Sequence, residues 1–265
     1  MKDMSIDSRY FREYRIKLGF KSQGEFKSFL SAKDITPTVN YEYIELLNQR
    51  LVVIIEKINS VVRDEIKQKD LGDFSSQFVF EIYKIMKNGS IIPRLNNQGR
   101  RPEQVYFSWM RGFVITQYFT KAISIIFGVN IKNILQIGDD DLTNLETFKR
   151  TPKADIEINL GASKKVILEI QSGFQGINDI KQHKVIEAKR LKQETGDHTI
   201  AIHFDLYNGQ VAFIVLDLIK ETDMNWITRQ QMEGQTVFNI DQNYFIWKLT
   251  ELPPQIEEIK KLLSF

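Results

Sequence analysis

The sequence predicts a mixed α/β protein in which a helical N-terminal region precedes a β-sheet core flanked by helices. Two observations carry this prediction. In the first half of the chain, apolar residues recur every three or four positions, as they do on one face of a helix. From about residue 130 onward, several segments alternate apolar and polar residues, as half-buried strands do. The chain has 265 residues, 42% of them hydrophobic, which is enough to bury a sizeable core.

The N-terminal helices are predicted from their apolar spacing and their end signals. Ser22 suits the start of a short helix. The apolar stripe that runs from Ile44 to Val61 is typical of a helix facing a bundle core or, less often, a coiled-coil partner. Pro102 suits a first helical turn, and Gly128 suits a helix end. The predicted helices cover 22–30, 41–67, 74–87 and 102–127.

The second half of the chain is predicted to alternate between strands and helices. Asn208-Gly209 between two apolar runs is a strong signal for a β-hairpin turn. Gly196 follows a basic segment and is a natural helix end. Strands are predicted over 133–137, 154–160, 165–171, 199–205 and 210–216, with 236–249 strand-like, and helices over 177–194, part of 217–232 and 254–265.

Composition excludes several classes of protein and site. The chain has no cysteine, so disulfides and thiolate–metal sites are impossible. No apolar run reaches the roughly 18 residues that a membrane span needs, and charges occupy the place of a signal peptide's apolar stretch. We therefore expect an intracellular protein without a membrane partner. Residues 149–192 carry 10 Lys and Arg against 5 Asp and Glu, which predicts a local positive field.

Three polar side chains stand in two otherwise apolar predicted strands. Asp155 lies near the start of the first strand, and Glu169 and Gln171 lie at the end of the second. Residues i and i+2 of a strand project from the same face, so Glu169 and Gln171 point together. A short turn between antiparallel strands brings Asp155 opposite Glu169. Two carboxylates and the Ile170 carbonyl are oxygen ligands that suit Mg²⁺, which can activate water and stabilise charge on a phosphate.

Asp155, a gap of 13 residues, Glu169-x-Gln171 and a following basic helix resemble the PD-(D/E)xK nuclease superfamily, and most of all its type II restriction endonucleases. The resemblance covers roughly residues 105–216. It implies a restriction-endonuclease-like mixed sheet flanked by helices, with Asp155, Glu169 and Gln171 as catalytic residues and Mg²⁺ as the cofactor. It also implies a homodimer that cuts double-stranded DNA at specific sites in the cytoplasm of a bacterial or archaeal cell.

The sequence departs from the family pattern at two positions. Ala154, not proline, precedes Asp155, and Gln171 takes the place of the family's lysine. A neutral amide can orient a water molecule by hydrogen bonds but brings no positive charge. Lys181 and Lys184 on the next helix are the candidates for that missing charge and for DNA phosphate contacts.

A polar loop before the long fourth helix offers side chains of the types that pair with base edges. Its candidate DNA contacts are Asn97, Gln98, Arg100 and Arg101. We expect residues 1–101 to form a helical region for DNA recognition or dimerisation, and residues 102–265 to form the catalytic core.

Other interpretations of the sequence stay open at this point. Glu187-Ala188-Lys189 is a second acid-x-lysine sequence, but it lies in a predicted helix, where residues two apart do not share a face. Glu157 shares a strand face with Asp155 and is either a further metal ligand or an exposed carboxylate. The alternative functions are a non-catalytic nucleic-acid-binding protein and a repair or RNA-processing nuclease of the same fold.

Overall fold

A computed structural model describes residues 8–32, 35–95, 100–137, 154–161, 164–173, 178–230 and 234–263. Helices account for most of the N-terminal part, and strands become frequent after residue 133. No helix among the described residues is long and apolar enough to cross a membrane. The described α-helices are α1 (Ser8–Leu18), α2 (Gln23–Leu30), α3 (Tyr41–Val61), α4 (Leu71–Ser75), α5 (Ile82–Asn88), α6 (Pro102–Phe127), α7 (Gln182–Thr195) and α8 (Ile256–Leu263).

Local signals in the sequence set where these helices begin and end. The Ser22 side chain accepts a hydrogen bond from the backbone N–H of Glu25 and caps α2. Asn40 caps α3 in the same way. At the other end, α6 and α7 stop at Gly128 and Gly196, whose φ angles of +63° and +78° are left-handed and favour glycine.

The strands form two sheets. The described strands are β1 (Ile134–Gln136), β2 (Ile156–Gly161), β3 (Lys164–Gly173), β4 (Asp179–Lys181), β5 (His198–Asp205), β6 (Gln210–Val215), β7 (Trp226–Arg229), β8 (Gln235–Asn239) and β9 (Phe245–Lys248). The larger sheet has six strands in the order β1-β2-β3-β5-β6-β9, and the smaller has three in the order β4-β8-β7. In the larger sheet, β2 and β3 are antiparallel, whereas β3 and β5 are parallel and are joined through α7.

Each face of the six-stranded sheet packs against a core of its own. Leu168, Ile202 and other residues of one face join α3 and α6 in the larger core, where the Phe119 and Phe204 rings stack with centroids 4.0 Å apart. Ala201 and other residues of the opposite face pack against α7 and the small sheet. Because the middle of β3 is covered on both faces, Val166–Ile170 are apolar except for Glu169.

The predicted fold class, a mixed β-sheet with flanking helices and a helical N-terminal region, is confirmed. The predicted order of a helix, three strands, a helix and a strand is present as α6, β1, β2, β3, α7 and β5, with the short strand β4 added before α7. The larger core contains side chains from α3 and from the sheet, so it spans residues on both sides of the predicted domain boundary at 101/102.

Four element predictions are corrected. The predicted helix 41–67 corresponds to α3, which ends at Val61 rather than at residue 67. Val61 is 65% exposed and lies outside the core. The predicted helix 74–87 is instead α4 and α5 joined by a π-helical turn at Ser76–Glu81. A short strand, β4, occupies residues 179–181 of the predicted helix 177–194, and α7 begins at Gln182. In the segment 217–232, predicted to be helical in part, the described helix is limited to a 3-10 turn at Leu216–Leu218, and Trp226–Arg229 form the edge strand β7 on β8.

Candidate active site

Asp155 lies immediately before β2, at the end of the sheet where β3 and β5 finish. Its backbone N–H donates to the Leu168 carbonyl at 3.0 Å, which holds the residue against β3. The backbone N–H of Ile170 donates to Asp155 Oδ2 at 2.7 Å. The half-buried carboxylate is therefore oriented by the backbone of the neighbouring strand.

Glu169 is a buried carboxylate within an apolar strand. Only 6% of the residue is exposed, and its neighbour Leu168 belongs to the larger core on the other face of the sheet. Ile156 pairs with Leu168, so extending the antiparallel register by one residue places Asp155 opposite Glu169. Residues opposite each other in such a pair have Cβ atoms about 5 Å apart. The two predicted carboxylates thus lie at neighbouring positions on one strand end.

Lys184 supplies the positive charge beside Glu169. Its Nζ lies 2.8 Å from Glu169 Oε2, and both side chains are largely buried. Lys184 is in the first turn of α7, one turn before Ala188, which is 1% exposed and packs against the sheet. The packing of α7 therefore turns Lys184 toward β3. A carboxylate so deeply buried is costly unless it has a partner of this kind.

Lys181, His183 and Lys184 lie close together at the start of α7. The pKa of His183 is lowered, first by partial burial and then by the positive charges of Lys184 and Lys181. The N-terminal end of a helix adds the positive pole of its dipole. Lys181 itself is exposed at this end, whereas Lys184 is directed inward. The carboxylates of Asp155 and Glu169 repel an anion such as a phosphate. A phosphate can therefore bind between them and the start of α7 only if a bound cation offsets the negative charge of the carboxylates.

Gln171 lies two residues after Glu169 and projects from the same strand face. It pairs in the parallel register with His203 on β5. His203 is 3% exposed, its Nε2 lies 2.8 Å from Asn178 Oδ1, and its Nδ1 is buried without a hydrogen-bond partner among the described residues. Gln171 therefore lies beside the buried imidazole of His203, which Asn178 holds in place.

Gly173 ends β3 where no larger residue fits without movement. A Cβ atom at this position would lie 3.0 Å from Asn178 Oδ1 and 3.0 Å from His203 Nε2. The close approach lets His203 and Asn178 pack across the strand end that carries Gln171. No spacing signal in the sequence marks His203 or Asn178 as site residues, because the parallel pairing of β3 with β5 is a tertiary feature.

We predict that His203 makes the fold sensitive to acid. Burial lowers the pKa of His203 from 6.5 to about 4. The unfolded chain therefore binds a proton more readily than the folded one, so stability is fully present above about pH 6.5 and is lost as the pH falls toward 4. The full effect is about 3 kcal/mol, from 1.36 kcal/mol per pKa unit.

Urea unfolding near neutral pH and at about pH 5 measures this effect. His203→Gln keeps a polar side chain that cannot take up a proton, so its free energy of unfolding should fall less between the two pH values than that of the wild type. Equal pH dependence in the two proteins would assign the acid sensitivity to other groups.

The candidate DNA contacts are placed unequally. Arg101 is exposed, but its guanidinium lies 3.3 Å from the buried carboxylate of Glu103 at the start of α6. Arg100 is exposed. The other two candidates from the loop, Asn97 and Gln98, lie outside the described residues. Arg100 and Arg101 are therefore on the surface next to the start of α6, and Arg101 also forms an ion pair with Glu103.

The alternative carboxylates take part in surface ion pairs. Glu187 lies on α7 and pairs with Arg190 at 2.6 Å, which lowers the pKa of Glu187 through the hydrogen bond to Arg190. Glu157 pairs with Lys165 on the neighbouring strand at 2.8 Å. Neither carboxylate is buried as Glu169 is.

The chemistry of the donors at the strand end fits a hard divalent cation. Among the described residues no group of three His, Asp or Glu side chains is close enough to hold a metal. The two carboxylates of Asp155 and Glu169 and the Ile170 carbonyl are oxygen donors, the type that Mg²⁺ prefers. Mg²⁺ is commonly held by only one or two protein carboxylates, with water and phosphate oxygens completing the set.

Comparison with known proteins finds a partial structural similarity. The chain is similar to the structure of Hjc, a Holliday junction resolvase from Archaeoglobus fulgidus, with 12% sequence identity and a TM-score of 0.32. The match covers 54% of this chain and 96% of that chain. No family model and no curated protein matches the sequence.

Proposed function

We propose that the protein is a Mg²⁺-dependent, sequence-specific double-stranded DNA endonuclease of the type II restriction class. The observation that carries this proposal is the arrangement at one strand end: Asp155 opposite Glu169, with Lys184 within 2.8 Å of Glu169. Surface acids that serve solubility alone need neither burial nor a strand register that brings them together. A buried carboxylate pair with an inward-facing lysine instead suits metal-assisted phosphodiester hydrolysis.

Each residue has a distinct role in the proposed reaction. A Mg²⁺ ion bound at this site would acidify water and stabilise negative charge on the phosphate. Asp155, Glu169 and the Ile170 carbonyl would hold the ion. The Ile170 N–H keeps the Asp155 carboxylate in its orientation. Gln171, on the same face, orients a water molecule by hydrogen bonds. Lys184 provides the positive charge that Gln171 does not, from the next helix rather than from the strand.

The proposed DNA contacts come from the start of α7 and from the segment that precedes α6. Lys181, exposed at the start of α7, contacts backbone phosphates, whereas Lys184 is turned toward Glu169 and reaches only a phosphate bound beside the carboxylates. Asn97, Gln98, Arg100 and Arg101 are the candidates for contacts to bases. We propose that residues 1–101 assist recognition or dimerisation. A homodimer would match a twofold-symmetric DNA site. The exposed apolar side chains of Tyr43, Leu46 and Val53 on α3 provide a surface for such an interface.

We predict that DNA binding weakens steeply with salt, because each neutralised phosphate releases counterions. Lys181→Glu should weaken binding to all sequences similarly and should lower the slope of log affinity against log salt by about one or more. Fluorescence anisotropy with two unrelated duplexes over a series of salt concentrations measures both effects.

Lys248→Glu is the matched control for that measurement. Lys248 lies on β9, at the edge of the sheet opposite β1, and its side chain is 72% exposed. This substitution should leave the salt slope unchanged. Affinity that does not vary with salt, or equal effects of the two substitutions, would remove the start of α7 from the DNA surface.

Incubation with plasmid DNA, with and without Mg²⁺, tests the function as a whole. Discrete fragments that form only with Mg²⁺ would support a restriction endonuclease. A smear would indicate a nonspecific nuclease, for which repair or RNA processing becomes the better assignment. DNA that is retained in a gel shift but stays uncut with Mg²⁺ would contradict the proposal and favour a non-catalytic binding protein.

A further inference from the structure

A pocket of about 340 Å³ opens on the face of the sheet opposite Glu169, between α6, β1, β2 and the π-helical turn. Its apolar floor includes Phe113 and Ile156, both buried in the larger core. Three glutamines, Gln77, Gln117 and Gln136, line its rim, and the described lining residues carry no charge. The volume lies at the lower end of the range for small-molecule sites.

The three glutamine amides are available to a ligand. Within the described part of the chain, none of these side chains makes a hydrogen bond to another protein group. Gln117 and Gln136 are half-buried, so each presents two donors and one acceptor oxygen toward a partly dehydrated space. A neutral ligand with donors and acceptors on its edge replaces their water contacts without a charge to compensate.

The π-helical turn supplies a second, independent observation. Ser76–Glu81 is a π-helix between α4 and α5, and it contributes Gln77 and Phe78 to the pocket. Helices of this type are rare and are frequent at functional sites. Phe78 lies against Phe113 with ring centroids 6.4 Å apart. The widened turn thus places an amide and an aromatic ring together at the mouth of the pocket.

The pocket lies beside the candidate active site. Gln136 ends β1 and pairs with Ile156, which immediately follows Asp155. The backbone N–H of Ile137, the residue after Gln136, donates to the Asp155 carbonyl at 3.0 Å. The rim of the pocket and the proposed metal ligand are therefore neighbours at the same end of β2, although their side chains lie on opposite faces of the sheet.

We propose that this pocket binds a single nucleobase that has been turned out of the DNA helix. Amide side chains pair with base edges, and aromatic rings stack on base faces. The absence of charge among the described lining residues suits a base and not a phosphate. Gln117 and Gln136 contact the base edge, and Phe78 contacts its face. The proposal rests on the proposed function, because it assumes that DNA lies across the end of β2.

Three duplexes of one sequence, bound without divalent metal so that no strand is cut, test this assignment. The first is fully paired, the second has one base opposite an abasic site, and the third has abasic sites in both strands at that position. The second and third are similarly flexible, but only the second has a base free to enter the pocket. Extruding a paired base is costly, so we expect the second duplex to bind at least about tenfold more tightly than either of the others.

The double variant Gln117→Leu with Gln136→Leu should abolish this preference and still bind all three duplexes. Gln255→Leu, the same change at an exposed glutamine just before α8, is the matched control and should retain the preference. Thermal melting checks that the double variant is folded. Equal affinities of the wild type for the second and third duplexes, or a preference that survives the double substitution, would overturn the pocket assignment and leave the nuclease proposal intact. No binding to any duplex would overturn both.

Discussion

Asp155→Asn and Glu169→Gln should each lower the rate of Mg²⁺-dependent DNA cleavage by on the order of 10³-fold or more. Loss of metal-based charge stabilisation of several kcal/mol has an effect of this size, since each 1.36 kcal/mol is a factor of ten. Both substitutions keep the shape of the side chain. The amide oxygen introduced at position 155 can still accept from the Ile170 N–H, and the one introduced at position 169 can still accept from Lys184, so folding should be preserved.

Single-turnover cleavage at saturating Mg²⁺ is the measurement, with DNA binding in the absence of metal recorded for the same proteins. Binding should persist, because neither carboxylate contacts a base or phosphate directly. Glu157→Gln is the matched control, since Glu157 lies on the same strand as the site but pairs with Lys165. Cleavage within a few-fold of the wild type in either active-site variant would place the metal elsewhere on the chain.

Lys184→Gln should lower cleavage by about 10²-fold, the effect of removing one charge-stabilising group from an active site. Lys181→Gln should change the single-turnover rate only a few-fold. The reason is position: Lys184 lies 2.8 Å from Glu169, whereas Lys181 is exposed at the start of the helix and contributes to DNA affinity. The two lysines are three residues apart in the sequence. A difference in cleavage rate between the two variants therefore reports the contact of Lys184 with Glu169 and not the loss of a positive charge in general.

The combination of Lys184→Gln with Gln171→Lys tests the same role by rescue. Residue 171 follows Glu169 on the same strand face, so a lysine there can return positive charge to the carboxylates. We expect the double variant to cleave at least about tenfold faster than Lys184→Gln alone. If Lys184 serves only as a structural ion pair, Lys184→Gln will lower the melting temperature without changing the rate, and Gln171→Lys will bring no recovery.

The helical elements were largely predictable because their signals are local. Ser22, Gly128 and Gly196 act through side-chain caps or backbone angles that depend on a few neighbouring residues. The π-helical turn at Ser76–Glu81 was not predictable, since apolar spacing does not distinguish it from a continuous helix. The strand in the segment 217–232 was missed because Trp226–Arg229 pair with β8, a contact that the sequence of the segment does not specify.

Part of the candidate site was likewise predictable from local sequence, and part required the tertiary structure. Asp155, Glu169 and Gln171 were identified from spacing along two adjacent strands, because a short antiparallel connection makes the register of such strands a nearly local property. The choice of Lys184 over Lys181 required the packing of α7, in which buried Ala188 turns one lysine toward Glu169.

By itself, the sequence determined the mixed fold, the two neighbouring carboxylates and the absence of any thiol chemistry. The tertiary structure alone decided that Lys184 pairs with Glu169, that His203 lies beside Gln171, and that Gln77, Gln117 and Gln136 surround one pocket. The physical reason is that caps, turns and strand alternation act over a few residues. Parallel strand pairing and the packing of helices on a sheet instead join residues far apart in the chain, and burial of the whole core selects among the possible arrangements.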